Sequence, residues 1–261
     1  MALEIIANTK NWPLIIFNYL NPISQKPIDF IFKRDLRIII NKGHGKYETT
    51  GLATIWEIVI KKNYNPRGFE IKLKDIIIDI GANIGIFSIY AAKKAIYGKI
   101  YSFEPFKSHY RRFLKNIELN KIKNIKPFNL AVSKKEGEQR LFLSEINSGG
   151  HSLHPIKGQE SVIIKTLTLN KIIKENKLKK IDLLKLDCEG SEYEIIYSTS
   201  KKNLKIIKKI VLEYENIDKN KNNLKYLKKF LEKEGFKVLL KDGGNKPQGI
   251  LHATREFKSL K

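Results

Sequence analysis

An apolar run ends in an acidic residue and a glycine-bearing turn in the stretch Ile76-Ile77-Ile78-Asp79-Ile80-Gly81-Ala82-Asn83-Ile84-Gly85. A second strand-like run, Lys99-Ile100-Tyr101-Ser102-Phe103-Glu104, also ends in a carboxylate. In a βαβ unit the turn after the first strand lets a ligand approach the backbone, and Gly81 and Gly85 suit it because they lack a Cβ and accept positive φ. A carboxylate about 20 residues on, at the tip of the next strand, can accept both hydroxyls of a ribose. The pattern predicts a nucleoside-cofactor pocket.

The glycine spacing indicates which nucleoside is bound. A dinucleotide fingerprint needs G-x-G-x-x-G to seat a pyrophosphate, but here the turn reads Gly81-Ala82-Asn83-Ile84-Gly85 and Asp79 stands just before it. An acid at that position repels a pyrophosphate and suits S-adenosylmethionine, which carries a sulfonium and an α-amino group. The pattern D-x-G-x-x-x-G followed by a strand-terminal Glu is typical of class I methyltransferases. The position of Glu104 disfavours the alternative of an ordinary buried strand with a glycine turn.

Length and composition limit the domain organisation. A chain of 261 residues with 42% hydrophobic content fits one large domain with an N-terminal extension, which we place at residues 1–70 (a cap) and 71–261 (the methyltransferase domain). The single cysteine, Cys188, excludes a disulfide framework and agrees with a cytoplasmic location. No apolar run reaches the ~18 residues needed to span a bilayer, and we expect no membrane span.

The net charge of +23 raises the question of nucleic-acid binding. Most of the positive charge is Lys spread along the chain beside many Ile and Asn residues, which is typical of a compositional bias. Arginine, which suits bidentate phosphate and guanine contacts, is scarce, and no RNA-binding module is recognisable. A solvated lysine surface is therefore the favoured interpretation, and nucleic acid is kept only as a less favoured partner.

The order of predicted elements indicates an α/β fold. Before residue 70 the chain is punctuated by prolines, with a strand at 36–40, a turn at Gly43-His44-Gly45 and an amphipathic helix at 52–62. From Ile76 onward strands alternate with helices, which predicts a class I methyltransferase (Rossmann-like) fold with a mostly parallel seven-stranded sheet and helices on both faces. The predicted strands are 76–80, 99–103, 125–129, 181–187, 207–214, 236–240 and one near 250–252, and the predicted helices are 84–97, 106–120, 168–176, 191–199 and 222–234.

An inserted β-hairpin is predicted from the runs 140–143 and 162–164, which flank the loop Gly149-Gly150-His151-Ser152-Leu153-His154-Pro155. In parallel sheets of this kind, ligands bind beyond the carboxyl ends of the strands. The acids that end four of the predicted strands should therefore face one crevice: Asp79, Glu104, Asp187 and Glu213.

Four segments resemble, in order and spacing, the FkbM-type methyltransferases. They are Asp79-Ile80-Gly81-Ala82-Asn83-Ile84-Gly85, Phe103-Glu104-Pro105, Asn129-Leu130-Ala131-Val132-Ser133 and Lys185-Leu186-Asp187-Cys188-Glu189-Gly190-Ser191-Glu192. These enzymes depend on S-adenosylmethionine, and most are O-methyltransferases of sugars and secondary metabolites. The resemblance runs from about residue 74 to 240, and the K-x-D-x-E-G-x-E segment is its most specific part.

The resemblance implies roles for individual residues of the cofactor site. Asp79, Gly81 and Asn83 are expected to line the methionine moiety of S-adenosylmethionine, with Gly85 in the same turn. Glu104 is expected to hold the ribose, and Ala131 and Ser133 to border the adenine. The region before residue 70 carries little about the acceptor.

A hydroxyl acceptor is barely ionised at neutral pH, so its methylation benefits from a base. The candidates are Asp187, Glu189 and Glu192, with His151 and His154 as further candidates if the inserted loop folds over the site. Each has a structural alternative, because Asp187 could cap a helix or bond backbone amides, the two glutamates could be first-turn acids, and the histidines could be solvated. A divalent metal on Asp187, Glu189 and Glu213 has only weak support from spacing, and no metal is predicted.

The sequence favours O-methylation of a hydroxyl on a sugar, glycan or small metabolite. The runner-up is a methyltransferase acting on RNA or protein through the basic surface, but enzymes that methylate base nitrogens usually carry an Asn/Asp-Pro-Pro-aromatic turn where this chain has Asp187-Cys188-Glu189-Gly190. A non-catalytic binding protein is disfavoured by the intact acids, and a dehydrogenase by the glycine turn. The acceptor and the oligomeric state stay open.

Overall fold

The strands and helices are described here from a computed structural model that covers residues 2–20, 27–33, 36–40, 51–144, 150–155, 158–240, 244 and 246–255. The strands are β1 Ile28–Ile31, β2 Arg37–Ile40, β3 Ile76–Ile80, β4 Lys99–Phe103, β5 Ile125–Phe128, β6 Ala131–Val132, β7 Gly137–Phe142, β8 Ser161–Leu167, β9 Leu183–Leu186, β10 Lys209–Glu215, β11 Lys237–Leu240 and β12 Gln248–Thr254. The helices are α1 Ala2–Asn8, α2 Trp12–Leu20, α3 Gly51–Ile55, α4 Ile86–Lys94, α5 Lys107–Leu119, α6 Leu169–Glu175, α7 Glu192–Ser198, α8 Lys201–Lys205 and α9 Leu224–Lys233. A π-helical turn at Trp56–Ile60 continues α3.

The central sheet has seven strands in the order β11-β12-β10-β9-β3-β4-β5. β10, β9, β3, β4 and β5 pair in parallel, whereas β12 runs antiparallel to both of its neighbours. β3 lies in the interior of the sheet between β9 and β4, and its Ile-rich sequence suits burial on both faces. Pro127 interrupts β5, which is tolerated because β5 is an edge strand. The predicted class I methyltransferase fold is confirmed.

Two apolar cores lie on opposite faces of the sheet, as the alternation of strands and helices predicts. One core contains buried residues of α6, α7 and α9. In α9, Leu224, Leu227 and Leu231 recur at helical spacing and form the buried stripe. The other core contains α4 together with residues of the N-terminal segment 2–70. The predicted boundary between cap and methyltransferase domain stays a prediction, because the two regions share this core.

The N-terminal segment is more regular than its prolines indicate. α1, α2 and β1 were not predicted, whereas β2 was. Pro13 lies in the first turn of α2, where its missing N–H needs no partner, so it does not break the helix. The side chain of Asn116 on α5 both donates to and accepts from the backbone of Ile39, at 3.2 and 2.9 Å, and so attaches β2 to the domain. The predicted turn at 43–45 lies outside the described residues.

The insertion between β5 and α6 forms a small sheet of its own. β7 and β8 are antiparallel, as predicted for the hairpin, although both strands are longer than the sequence indicated. β6, which was not predicted, pairs in parallel with β8 and completes the order β6-β8-β7. Because β6 follows β5 directly, this sheet begins at the carboxyl edge of the central sheet.

The helices of the structure are short. The longest described one, α5, has 13 residues, whereas about 20 apolar residues are needed to cross a bilayer. Across the described ranges, no helix combines the length and the apolar character of a membrane span.

Candidate functional site

A cavity of about 320 Å³ opens at the carboxyl ends of β3, β4 and β9. Its position is the one expected for ligands of a parallel sheet. Of the residues predicted for the site, the cavity is lined by Gly81, Asn83, Glu104, Ala131, Asp187 and Glu189. The N-terminal segment also reaches it, through Glu57 and Tyr64 among others.

Two glycines fix the turn between β3 and α4. Gly81 has φ +77°, and a Cβ there would lie 1.7 Å from the carbonyl oxygen of Asp187. Gly85 has φ +87°, and a Cβ there would lie 1.9 Å from the ring of Phe113. Both positions therefore require glycine for two reasons, a left-handed backbone and a close approach of neighbouring atoms. The two glycines thus let the turn pack directly against the backbone of Asp187 and the ring of Phe113.

Asp79 lies beneath this turn and is fully buried. It is in register with Lys185 across β3 and β9, so the two side chains share one face of the sheet. One carboxylate oxygen lies 3.1 Å from the Lys185 ammonium, and the other accepts a 2.5 Å hydrogen bond from Ser88. Asp79 therefore stabilises the glycine turn from the protein interior. Its predicted contact with the methionine moiety stays a prediction.

Lys185 connects the buried Asp79 with Asp187 on the cavity wall. Its ammonium donates to the carbonyl of Gly81 at 2.9 Å and lies 3.3 Å from the carboxylate of Asp187. Burial alone would lower the pKa of Lys185, but the carboxylates of Asp79 and Asp187 raise it above its usual value, so the side chain stays charged. The sequence analysis gave Lys185 no role, although a lysine inside an apolar strand is itself a signal of a buried ion pair.

Glu104 occupies the predicted ribose position at the end of β4. Its carboxylate accepts hydrogen bonds from the backbone N–H groups of Asn83 and Phe106, both at 2.8 Å, and the residue is only 5% exposed. Burial raises the pKa of Glu104 to about 7, although those two N–H groups act in the opposite direction. Since each carboxylate oxygen has two lone pairs, Glu104 can still accept hydrogen bonds from the hydroxyl groups of a ligand.

The two residues predicted to border the adenine differ in their surroundings. Ala131 lies on the cavity wall. Ser133 is 1% exposed; its hydroxyl donates to Glu194 and accepts from Gln139, both at 2.9 Å. Ser133 therefore joins the small sheet to α7, and an adenine contact for it stays a prediction.

Two further carboxylates lie side by side, that of Asp187 directly after β9 and that of Glu213 on β10. Each follows a pair of residues in register, Leu186 and Leu212, so their side chains leave the same face of the sheet. The hydroxyl of Tyr64 contacts both acids, at 3.2 Å for Asp187 and more closely for Glu213. Sequence reasoning missed Tyr64, because nothing near it in the chain indicates that it reaches the strand ends.

The other two predicted catalytic acids have different surroundings. Glu192 is 2% exposed, and its carboxylate accepts backbone N–H groups of Cys188 and Gly190 at 2.6 and 2.8 Å. These bonds hold the turn at 188–190, between β9 and α7, in place. Glu189 has φ +53° and lines the cavity, and burial together with the charge of Asp187 raises its pKa to about 8.

A second cavity, of about 420 Å³, adjoins the first. The two cavities share four acidic residues, which we call the acidic wall: Glu57, Asp187, Glu189 and Glu213. Burial, followed by the charge of Asp187, raises the pKa of Glu57 as well. Within the described part of the chain, no group of three or more His, Cys, Asp or Glu side chains is arranged to hold a metal ion.

The loop of the insertion lies against the site. His151 lines the first cavity and stacks on His109 with ring centres 5.3 Å apart, and burial lowers its pKa to about 4. Ser152 donates to the carbonyl of Glu189 at 2.6 Å. His154 packs against Gly190 instead. The described part of the insertion thus contributes one wall of the cavity, and a substrate contact for either histidine stays a prediction.

Comparisons with known proteins show which family the chain is similar to. Residues 79–238 match the family model described as the methyltransferase FkbM domain. "Methyltransferase 1" of Beauveria bassiana is 24% identical over 240 residues, which cover 84% of this chain and 85% of the relative. The "31-O-demethyl-FK506 methyltransferase FkbM" of Streptomyces tacrolimicus is 22% identical over 192 residues, 62% of this chain and 74% of the relative. The "Hexuronic acid methyltransferase AglP" of Haloferax volcanii is 25% identical over 127 residues, 49% of this chain and 51% of the relative.

The match to the family model covers more than half of the chain and includes the glycine turn, Glu104 and the segment from Lys185 to Glu192. The structure places these parts around one cavity at the strand ends. Gly81 of the turn and the buried carboxylate of Glu104 both lie on the cavity wall, and such a backbone turn beside a hydrogen-bond acceptor fits the expected cofactor. The chain therefore belongs to the FkbM methyltransferase family, and its methyl donor is S-adenosylmethionine.

Proposed function

We propose that this methyltransferase transfers the methyl group to a hydroxyl oxygen of a sugar, glycan or small metabolite. The observation that carries the proposal is the acidic wall, which separates the cavity of the donor from a second cavity of comparable size. A hydroxyl needs a base as it is methylated, and the wall offers carboxylates at the boundary where donor and acceptor meet.

The residues of the first cavity would bind and orient the donor. The glycine turn admits the ligand to the backbone, and Glu104 accepts from the ribose hydroxyls. S-adenosylmethionine, when bound, supplies a methyl group already activated by a sulfonium. Because the donor is activated, positioning of the two reactants supplies much of the rate enhancement. The second cavity would then hold the acceptor so that its hydroxyl approaches the methyl carbon along the line of the breaking bond.

The charge of the site favours a small polyhydroxyl acceptor over RNA. Although the chain carries a net charge of +23, the wall between the cavities is acidic. Carboxylates at the reacting centre repel the phosphates of a polynucleotide, whereas sugar hydroxyls can donate hydrogen bonds to them. Two relatives support the same interpretation by name, one as a hexuronic acid methyltransferase and one as a 31-O-demethyl-FK506 methyltransferase.

Among the predicted catalytic residues, we propose that Asp187 contacts the reacting hydroxyl. Its carboxylate borders both cavities and is held by Lys185 at 3.3 Å and by Tyr64 at 3.2 Å. Asp187→Asn keeps the shape but removes the charge, so we expect the turnover number to fall by about 10²-fold or more while binding of S-adenosylmethionine largely survives. Glu189 is a neighbouring candidate for the same contact. Glu192 would act indirectly, by holding the turn at 188–190.

The proposal is tested by incubating the protein with methyl-labelled S-adenosylmethionine and, in separate reactions, total cellular RNA, a protein extract, or a glycan and metabolite extract. We expect label in the third extract, on an oxygen atom identified by mass spectrometry and NMR. Nonspecific binding to RNA should disappear as salt rises, as counterion release requires. Stoichiometric label at one RNA or protein position at physiological salt would instead establish the runner-up.

A further inference from the structure

Asp187 and Glu213 reach the acidic wall from adjacent strands, and their surroundings differ. Asp187 forms an ion pair with Lys185 at 3.3 Å. Glu213 forms no such pair with any cation of the described residues, and its hydrogen-bond partner is the hydroxyl of Tyr64. Both carboxylates border the two cavities. Of the two, Glu213 therefore has the carboxylate without a paired positive charge.

From this geometry we propose that Glu213 is the general base that takes the proton from the acceptor hydroxyl, and that Tyr64 is the positioning residue that orients it. Asp187 then contacts the hydroxyl as a hydrogen-bond acceptor held by Lys185. This inference rests on the proposed function, because it requires a hydroxyl acceptor. The sequence predicted that Glu213 faces the crevice but gave it no catalytic role, and Tyr64 was not predicted for the site.

The step balances in atoms and charge. An oxygen lone pair of the acceptor forms the new C–O bond as the bond between sulfur and the methyl carbon breaks, and that electron pair stays on sulfur. The hydroxyl proton moves to the carboxylate of Glu213. The positive charge of the sulfonium and the negative charge of Glu213 are thus both neutralised, and the products are a methyl ether, S-adenosylhomocysteine and a protonated Glu213. The second cavity gives that proton a route to solvent.

The charged groups around Glu213 suit a base that works near neutral pH. Burial and then the charge of Asp187 raise the pKa of Glu213 to about 8, although Tyr64 and Lys185 act in the opposite direction. Glu57 of the N-terminal segment adds to the increase, and Glu189 also lines this wall. Across the strand pair, Ile250 of β12 faces Glu213 and carries no charge. A base is most effective when its pKa lies near the working pH.

Tyr64 is well placed to orient Glu213. It is 3% exposed, its ring packs on Phe87 with centres 5.7 Å apart, and the ammonium of Lys185 lies 5.5 Å from its ring centre. Packing therefore fixes the ring, and the ring fixes the direction of the hydroxyl. Replacing that hydroxyl with hydrogen keeps the packing, so Tyr64→Phe isolates the hydrogen bond to Glu213.

The test compares Glu213→Gln, Asp187→Asn and Tyr64→Phe in full-length protein. Once the acceptor is identified, kcat and KM are measured from pH 5.5 to 9.5, and binding of S-adenosylmethionine is measured by calorimetry. Wild type should show a rate that rises with pH and levels off above about 8. Glu213→Gln should lower kcat at least 100-fold and abolish that rise, with cofactor affinity within about twofold of wild type. Asp187→Asn should lower kcat but keep the rise.

Tyr64→Phe supplies a readout that a purely structural role would not move. The hydroxyl stabilises the anion of Glu213, so its loss should lower kcat about tenfold and shift the ascending limb of the pH profile to higher pH. The matched control is Tyr90→Phe, in the same core, whose hydroxyl accepts from Asn65 at 3.1 Å. It should leave both kcat and the limb unchanged. A Tyr64→Phe variant slower at every pH with an unshifted limb would assign Tyr64 to structure.

The outcomes separate this inference from the proposed function. An O-methylated product with a Glu213→Gln variant that keeps its rate and its pH profile would overturn the inference alone. Loss of the ascending limb only in Asp187→Asn would make Asp187 the base. A product methylated on nitrogen by the wild type would overturn the proposed function and the inference with it. Melting temperatures of the variants, measured with and without S-adenosylmethionine, identify any variant that fails to fold.

Discussion

The two parts of the site, which we call the proposed donor end (the glycine turn and Glu104) and the proposed acceptor end (the acidic wall and Tyr64), are built in different ways. At the donor end, Glu104 accepts from the backbone N–H of Asn83, a residue only 21 positions away in the chain. At the acceptor end, the Tyr64 hydroxyl bonds Glu213 across 149 positions. Backbone groups hold the first arrangement, and side chains from distant elements hold the second.

Because the two parts are held by different kinds of contact, they differ in how readily their residues can be substituted. A backbone contact depends on the path of the chain, so the glycine turn and Glu104 preserve one shape for one cofactor. A wall of side chains from β9, β10 and the N-terminal segment can change residue by residue while the turn stays intact. We therefore expect substitutions at the donor end to affect folding and cofactor binding, and those at the acceptor end to affect turnover.

The largest effect is expected from Gly81→Ala, which breaks the donor end. The new Cβ would lie 1.7 Å from a backbone oxygen of Asp187, at φ +77°. Neither atom can move without displacing a central strand, so the free energy of unfolding should fall by about 4 kcal/mol or more. Gly68→Ala is the control, since it has φ +88° and nothing within 4 Å. It should cost only about 1 kcal/mol in urea denaturation. Equal losses in the two variants would contradict the steric argument.

A somewhat smaller effect is expected from Lys185→Met, which removes the cation that links the two ends. Asp79 is fully buried and would lose its counter-charge, so the free energy of unfolding should fall by about 3–5 kcal/mol. Lys180→Met is the control, because that side chain is 45% exposed in its ion pair with Asp182. It should cost less than about 1 kcal/mol. Adding Asp79→Asn to Lys185→Met should recover part of the loss. A double variant with simple additive losses would argue against the pair.

The smallest effect is expected from the titration of Glu104, which sharpens the account of the donor end. Burial raises its pKa to about 7, above its value in the unfolded chain, so its ionised form becomes populated as pH rises through 7. The ionised form accepts both ribose hydroxyls, and the affinity for S-adenosylmethionine should therefore rise about tenfold between pH 6 and pH 8. The same raised pKa means that the contribution of Glu104 to stability declines as pH rises from about 4.5 to above 7.

Calorimetry across this pH range on wild type and Glu104→Gln checks the prediction. The variant should bind the cofactor about 10- to 100-fold more weakly at pH 8, because a charge-assisted hydrogen bond contributes about 1.5–3 kcal/mol. Its affinity should also show no dependence on pH between 6 and 8. Glu118→Gln, at an exposed position of α5, is the control and should behave as wild type. A pH dependence that persists in Glu104→Gln would assign the titration to another group.

The sequence predicted the sheet and the glycine turn well because both rest on local patterns. Apolar runs such as Ile76–Ile80 indicate buried strands, and Gly81 and Gly85 indicate a turn with positive φ. Sequence-based prediction was less successful where the role of a residue depends on its surroundings in the folded chain. Pro13 was interpreted as punctuation although it lies in the first turn of α2. Ser133 was predicted to border the adenine and Glu192 to be a candidate base; their side chains bond other parts of the protein, and both roles stay predictions.

From the sequence alone, periodicity indicated a mostly parallel seven-stranded sheet, glycine spacing indicated the class of cofactor, and the resemblance of four motifs indicated the family. The arrangement of side chains on the acidic wall depends instead on tertiary contacts. The register of β9 and β10 brings Asp187 beside Glu213. The packing of the N-terminal segment places the hydroxyl of Tyr64 in contact with both carboxylates. These contacts join residues far apart in sequence, and no local pattern encodes them. Their energies arise from burial and from neighbouring charge, which exist only once the chain has folded.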